Sequence, residues 1–577
     1  MKDGDLEVLK KLRGYASGQE WRIVVVVAFI TVACICSAVT PALIADIINE
    51  ISKGVGSFSF DRVVDICTIV VAMVLAYAVF RFTAYRITIV FSEGISYSLR
   101  RDMIAKVGRM PLQSLDGEES GDVASKIVND TDSLSTQMAM FIVCLVIGVV
   151  GTASALVMML MENVILTAVT LVCNILSVFF LKYFVPRIRE NYDIEREALG
   201  EMNSFMTEEL KGMQVTMCNG GEKRMEEDFA DISGKLMRST AGAEFYSSLS
   251  TPIVYTIFFI GVIAITYVGY LFVVGWNEEH EDIGTVIAFL IYSEILISPL
   301  TRLGMLLGYY QATISNSRRI FGLLSEIEES ERPDSGVTVG RGEVSFDHVS
   351  FGYDDRRVID DVCMSVPAGC KAAIVGPTGA GKTTLMSLLL GFYDADSGRI
   401  TVDGAPVDCF SRKELGSIFG TILQEPWVFE GTLRDNIMMG READDRLLER
   451  TAESLGLKDF LDSMPQGLDT KISRNGVLSA GQYQLICIIR AVIHDPTIYV
   501  LDEATSFIDV VTERRIQDIF DRVTEKKTSI VIAHRLSTIR NADIIFYLEN
   551  GRILERGTHE ELYAMNGRYR AMYDTQF

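Results

Sequence analysis

Proline is scarce in this chain, 12 residues in 577, while 49% of residues are hydrophobic. That balance excludes a disordered chain and a collagen-like or linker-like one. Basic charge is in deficit as well: 54 Lys and Arg against 76 Asp and Glu leave a formal net charge of −22. Coating nucleic acid takes clustered cations, so no nucleic-acid partner is expected. The 10 cysteines show no CxxC and no Cys/His spacing of the zinc-binding kind. None falls in a loop assigned below to the outside of the membrane, so they read as reduced packing residues. No small-residue cleavage site follows the first apolar run, which is also too long for a signal peptide and reads as a retained helix.

What the chain does have is long apolar runs, all in its first half. Six of them reach the roughly 20 residues that cross a bilayer. They cover residues 23–48, 63–91, 138–160, 164–185, 252–276 and 283–309. An amphipathic lead-in from Leu6, LEVLKKLRGYA, is expected to lie along the membrane surface. The connections after spans one, three and five hold a single basic residue, Lys53, whereas those after spans two and four hold five and eight. The positive-inside rule then puts the long connections and both termini in the cytoplasm. Those connections keep helical periodicity, as in EREALGEMNSFMTEELKGM from Glu195, and read as membrane helices continuing into the cytoplasm. Glu294 is the one acid well inside a span, facing either a watery path or an ordinary packed kink near Pro299.

The expected division is a membrane domain over 1–325, a polar linker over 326–343 and a soluble domain over 344–577. In the last, β-branched runs alternate with helical segments, the pattern of a mostly parallel α/β sheet. Residues KAAIVGPTGAGKTTLMSLLLG form a strand, a glycine-rich turn and a helix, with G-x-x-x-x-G-K-[ST] from Gly376 to Thr383. Backbone N–H groups along Gly376, Thr378, Gly379, Ala380 and Gly381, together with Thr384, suit a phosphate cradle at a helix start. Lys382 supplies a cation for the terminal phosphates, and Thr383 a hydroxyl for Mg²⁺. A second apolar strand, TIYVLDEATS, ends in Asp502 and Glu503, suited to holding the metal and to activating water.

Between these segments lies VLSAGQYQLICIIRAVI, whose Leu478-Ser479-Ala480-Gly481-Gln482 resembles the LSGGQ signature of ATP-binding cassette (ABC) proteins. Further markers follow in the family's order: Gln424 in TILQEPWVFEG, Ser506 to Asp509 as a D-loop, His534 in VIAHRLST, and Tyr353 in VSFGYDDR. The six spans, with SGDVASKIVNDTDSL from Ser120, resemble the exporter-type (type IV) transmembrane domain.

The resemblance implies a half-transporter: a six-helix, all-α membrane domain fused to an α/β P-loop domain, driving alternating access with ATP and Mg²⁺. It implies adenine stacking for Tyr353, metal contact for Gln424, Thr383 and Asp502, and hydrolytic roles for Glu503, His534 and Lys382. Ser479, Gly481 and Gln482 would serve the nucleotide of a partner subunit, so the cycle needs a dimer. Coupling cross-pieces are expected near Asp116–Gly121 and Glu208–Val215. The cargo class it implies is a hydrophobic or amphipathic compound, a lipid or a peptide, carried across a bacterial inner membrane. With no peptidase-like segment ahead of the first span, an exporter that also processes a peptide cargo is not expected. An importer on the same scaffold and a regulatory membrane ATPase are the alternatives. The signature region departs from the pattern at Ala480 and Tyr483 and the D-loop at Phe507, which favours a heterodimer in which another half-transporter supplies the intact signature.

Overall fold

The computed structural model describes residues 3–53, 58–116, 120–275, 283–329, 332, 334–353, 356–422, 426–440, 445–473, 478–502, 510–533 and 539–576. The chain divides into two units, Met1–Arg109 with Glu118–Glu326, and Met110–Gly117 with Ile327–Phe577.

The first unit is helical. It holds α1 (Asp3–Tyr15), α2 (Glu20–Ser52) and α3 (Phe60–Val107). Helix α4 (Leu112–Asp116) groups with the second unit. The first unit resumes with α5 (Ser120–Ser125), a π-helical turn at Lys126–Asp130, and α6 (Thr131–Glu162). Helices α7 (Val164–Cys218), α8 (Glu222–Gly275), α9 (Ile283–Thr301) and α10 (Leu303–Ser325) complete it. Among the described residues, four stretches are long and apolar enough to cross a bilayer: Glu20–Ser52, Phe60–Val107, Gly121–Glu162 and Pro252–Leu271. Val164–Phe180 and Ile283–Pro299 are shorter apolar helices. Helices α7 and α8 run 55 and 54 residues. At 1.5 Å per residue each is ~80 Å long, far beyond the ~30 Å hydrocarbon layer.

Two details differ from the sequence expectation. The residues of the anticipated second cross-piece, Glu208–Val215, are turns of the uninterrupted α7. Reversal comes later, at Asn219–Gly221, where Gly220 takes a left-handed φ of 64° that a Cβ disfavours. The last apolar run is two helices rather than one, separated at Arg302. Pro299 has no N–H to donate to the Ile295 carbonyl, and the helical ladder gives way within one turn of it.

Burial explains how the bundle closes. Ala45, Ala155, Met159, Leu166, Ile265, Ala288, Phe289, Tyr292 and Leu296 form one apolar cluster. The buried Tyr292 hydroxyl donates to the Ala38 carbonyl at 2.9 Å, so its polar end is satisfied. Helix α9 starts so near α2 that a Cβ on Gly284 would stand 2.2 Å from the Ala45 carbonyl oxygen. Polar contacts finish the other end of the unit. Arg319 of α10 pairs with Asp122 at 2.6 Å and Asp130 at 3.2 Å, while Lys126 pairs with Asp122 at 3.0 Å. The π-helical turn is thereby tied to both its neighbours.

The second unit contains two main sheets. Its elements are β1 (Val344–Tyr353), β2 (Arg356–Val366), β3 (Lys371–Val375), α11 (Lys382–Leu389), β4 (Ser397–Val402), β5 (Ala405–Pro406), α12 (Arg412–Ile418) and β6 (Phe419–Ile422). They continue with β7 (Gly431–Thr432), α13 (Leu433–Met438), α14 (Asp445–Ser454), α15 (Lys458–Asp462), β8 (Lys471–Ile472) and α16 (Ala480–Val492). After these come β9 (Ile498–Asp502), α17 (Val510–Thr524), β10 (Thr528–Ile532), β11 (Ile544–Glu549) and β12 (Arg552–Gly557). An antiparallel sheet has the order β2-β1-β4-β5, and a larger sheet the order β12-β11-β3-β10-β9-β6. In the larger sheet all neighbours are parallel except β12 at the edge. Every residue of β10 is buried, as a parallel strand covered on both faces requires.

Within this unit Arg412 donates to the Met110 carbonyl at 3.2 Å, close to the start of α4. Glu414 joins Ser335 to the domain. Its carboxylate accepts from the Ser335 N–H at 2.9 Å and the Ser411 N–H at 2.7 Å. These donors pull its pKa from 4.5 to about 2, so the contribution to stability is complete above pH 4.5 and fades as pH falls toward 2. Thermal unfolding of wild type and Glu414→Gln is expected to differ by a constant amount above pH 5, with the gap narrowing below pH 4.5. A gap independent of pH down to 3 would show that the ionised carboxylate is not what holds Ser335.

Candidate nucleotide site

Strand β3 ends at Val375 and α11 begins at Lys382, and the intervening loop has little room for side chains. A Cβ on Gly376 would lie 2.0 Å from the Leu548 carbonyl oxygen. At Gly381, the residue capping α11, φ is 104° and a Cβ would meet Ile359 Cδ1 at 2.7 Å. Only glycine fits either place. Pro377, Thr378, Gly379 and Thr383 are exposed, whereas Gly376, Ala380, Gly381, Lys382 and Thr384 are buried. The outer edge of the loop, with the positive end of the α11 dipole beneath it, is thus open to an anion.

Lys382 is only 7% exposed. Its ammonium donates to the carbonyls of Gly376 at 2.8 Å and Pro377 at 2.9 Å, which hold the charge inside the loop. Burial pushes its pKa down, and the charge of Asp502 acts in the opposite sense. Strand register explains why Asp502 is near. Ile374 of β3 stands opposite Ile532 of β10, and Ile532 stands opposite Asp502 of β9. Asp502 therefore ends its strand level with the loop entrance, two strands or ~10 Å away. Both lie at the carboxyl edge of a parallel sheet, where open α/β folds place their ligands. The Thr383 hydroxyl and the Asp502 carboxylate are hard oxygen donors, the type that suits Mg²⁺.

Tyr353 closes β1 and is 38% exposed. It packs edge-on against Tyr393, with ring centroids 5.2 Å apart at 90°, and against Phe351 at 5.0 Å and 84°. The pair keeps its ring at a fixed angle with area left to stack. No motif spacing marks Tyr393, so sequence reasoning missed it.

The signature residues open α16, whose apolar side joins a helical cluster of Leu485, Ile486, Ile488 and Ile489 with α13 to α15. The loop residue Ala380 and helix α11 belong to a different cluster, under the antiparallel sheet. Ser479 caps α16: its hydroxyl accepts from the Gln482 N–H at 3.3 Å, and the Gln482 side chain accepts from the Ser479 N–H at 2.8 Å. This reciprocal capping box fixes both side chains at the helix start. Ser479 and Ala480 are exposed and Gly481 is buried. Tyr483 does structural work: its hydroxyl donates to the Ser473 carbonyl at 2.7 Å, anchoring the segment ahead of the signature. Arg490, overlooked in the sequence, donates to the carbonyls of Asn436 at 2.7 Å and Trp427 at 2.9 Å. A lone cation in the apolar stretch ICIIRAVI was the available signal, since a half-buried guanidinium needs acceptors.

Gln424, Glu503, Ser506 to Asp509 with Phe507, and His534 lie outside the described residues. Glu294 is exposed on α9, turned away from the buried Tyr292, Ser293 and Leu296.

Comparison with known proteins agrees with this architecture. Residues 23–300 match the family model described as ABC transporter transmembrane region, and residues 359–506 the one described as ABC transporter. An uncharacterized ABC transporter ATP-binding protein of Bacillus subtilis, YfiC, is 30% identical over 99% of this chain and 94% of its own length. A fatty acid ABC transporter ATP-binding/permease protein of Mycobacterium tuberculosis is 35% identical, over 82% of this chain and 75% of its own. An ATP-dependent lipid A-core flippase of Coxiella burnetii is 31% identical, over 84% and 82%. The structure of a bacterial Atm1-family ABC exporter with ATP bound superposes with a TM-score of 0.76 at 25% identity, covering 97% of this chain and 99% of that one. The chain belongs to the ABC transporter family, as an exporter-type membrane domain fused to an ATP-binding cassette that couples ATP hydrolysis to export across the bilayer.

Proposed function

We propose that this chain is one half of an exporter of amphipathic, lipid-like compounds in a bacterial inner membrane, and that its ATP sites are completed by a second half-subunit. The observation that carries the reading is the separation of the anion-ready loop at Gly376–Thr383 from the exposed, capped signature at Ser479, which stand on different clusters of one domain. A nucleotide gripped by the loop leaves its outer side for the signature of another chain.

In this reading the N–H groups of Gly376, Thr378, Gly379, Ala380, Gly381 and Thr384 take the phosphates, and the Lys382 ammonium turns from the loop carbonyls to the terminal ones. Tyr353 stacks on adenine. Thr383, Asp502 and Gln424 hold Mg²⁺, which when bound neutralises charge on the terminal phosphates. Glu503 takes a proton from the attacking water, with His534 beside the terminal phosphate. Ser479, Gly481 and Gln482 act on the partner's nucleotide.

Departures at Ala480, Tyr483 and Phe507 favour a different half-subunit as partner, and this choice rests on them alone. The lipid-like cargo is supported by the fatty acid and lipid A-core functions in the names of two relatives. Inside-out vesicles carrying the chain with its partner half are expected to accumulate a fluorescent lipid analogue when ATP is added. Accumulation in right-side-out vesicles loaded with ATP would instead mean import. ATP turnover that ignores every lipid and peptide offered would mean a regulatory ATPase.

A further inference from the structure

Strands β1 and β2 pair with Phe346 opposite Met364 and Val349 opposite Val362. Between those pairs β1 has two residues, Asp347 and His348, and β2 has one, Cys363. This is a β-bulge. Regular alternation would send the side chains of Asp347 and His348 to opposite faces of the sheet. The bulge, with His348 at a left-handed φ of 50°, brings both beside Cys363. A carboxylate oxygen of Asp347, a ring nitrogen of His348 and the Cys363 sulfur lie within 4.8 Å of one another, all on exposed side chains.

Two further contacts organise the group. Asp361 Oδ1 is 2.7 Å from His348 Nδ1, and the His348 backbone N–H donates to Cys363 Sγ at 3.4 Å. Asp361 is left-handed as well, with a φ of 58°. Both partners of the His348–Asp361 contact thus adopt the left-handed region, which Asp and His tolerate better than most side chains.

We propose that Asp347, His348 and Cys363 form a binding site for a thiophilic divalent cation, zinc by ligand type, with Asp361 as the positioning residue for the imidazole. The donor set decides the class. Thiolate, imidazole and carboxylate together suit zinc, whereas Mg²⁺ and Ca²⁺ take oxygen donors throughout. The carboxylate on the imidazole fixes its tautomer and ring plane, as the outer partners of metal-binding histidines do. Zinc bonds of about 2.0 Å to nitrogen and 2.3 Å to sulfur require the three donors to draw together by about 1 Å. Exposed side chains accomplish that by rotation. Water takes the fourth position. No sequence spacing advertises the site, because 347–348 and 361–363 meet only through the bulge. The proposal is independent of the nucleotide reading.

The test is a Co²⁺ titration of the full-length, detergent-solubilised protein after chelator treatment. One cobalt per chain is expected, with visible bands of tetrahedral cobalt and a sulfur-to-cobalt charge-transfer band, both removed by Zn²⁺ and unaffected by Mg²⁺. Cys363→Ser should abolish the charge-transfer band, and His348→Ala or Asp361→Asn should weaken binding by ~10-fold or more. All of these side chains lie outside the core, and unchanged thermal unfolding of the variants verifies folding. Cys67, Cys218 and Cys409 are exposed too. A band that survives Cys363→Ser would place the metal on one of them and overturn the proposal, as would no band in the wild type.

Discussion

Lys382→Ala is expected to weaken ATP binding by ~10- to 100-fold, the worth of one charge-assisted contact in a confined site, and to stop turnover. The expectation comes from where the ammonium sits. It is held inside the phosphate-type loop by two carbonyls, 2.8 and 2.9 Å away, on a side chain that is almost wholly buried. Alanine removes the only charge the loop itself carries and takes the ammonium away from the Gly376 and Pro377 carbonyls, the second of which keeps the Ala380 N–H at 3.2 Å. Thermal unfolding of the nucleotide-free protein separates loss of affinity from loss of fold. Equilibrium binding of a fluorescent ATP analogue then reads the effect. Unchanged affinity in a folded variant would contradict the phosphate role of Lys382.

Glu503→Gln is expected to lower ATP turnover by ~10²- to 10⁴-fold, the range for removal of a general base, while ATP still binds. In the sequence it directly follows Asp502, the last residue of β9. Glutamine keeps the shape of the side chain and removes its capacity to accept a proton. The variant should therefore retain nucleotide through a desalting column when the wild type releases it. If it hydrolyses ATP near the wild-type rate, the base lies elsewhere, and the pairing of Asp502 with Glu503 as metal ligand and base fails with it. The two substitutions are complementary, since one removes grip and the other removes cleavage.

Local chemistry decided how much could be read from the sequence. The loop at 376–383 was legible because its geometry depends on residues next to one another: glycines where a Cβ has no room, then a lysine at the first helical position. Asp502 was legible as the end of an apolar, β-branched strand. That it is level with the loop entrance is a matter of register through β10, and no sequence periodicity carries that information. The membrane runs were legible from length and hydropathy. The end of α7 was not, because Glu208–Val215 has the composition of a helix whether it belongs to a cross-piece or to a shaft, and the Asn219–Gly221 turn is the actual stop. Tyr483 looked like a loss from the signature. In the fold its hydroxyl donates to the Ser473 carbonyl at 2.7 Å, so the position carries a structural contact. The cluster at Asp347, His348 and Cys363 was hidden because it needs an irregularity in pairing that no single strand displays.

The account depends most on the ATP site being shared between two chains, and single-particle stoichiometry combined with ATPase rate tests that directly. Nanodiscs holding one chain should bind ATP and release negligible phosphate, while discs holding the chain with its partner half, or with a second copy where that is the partner, should turn over steadily. Equal turnover per chain in one-chain discs would contradict it.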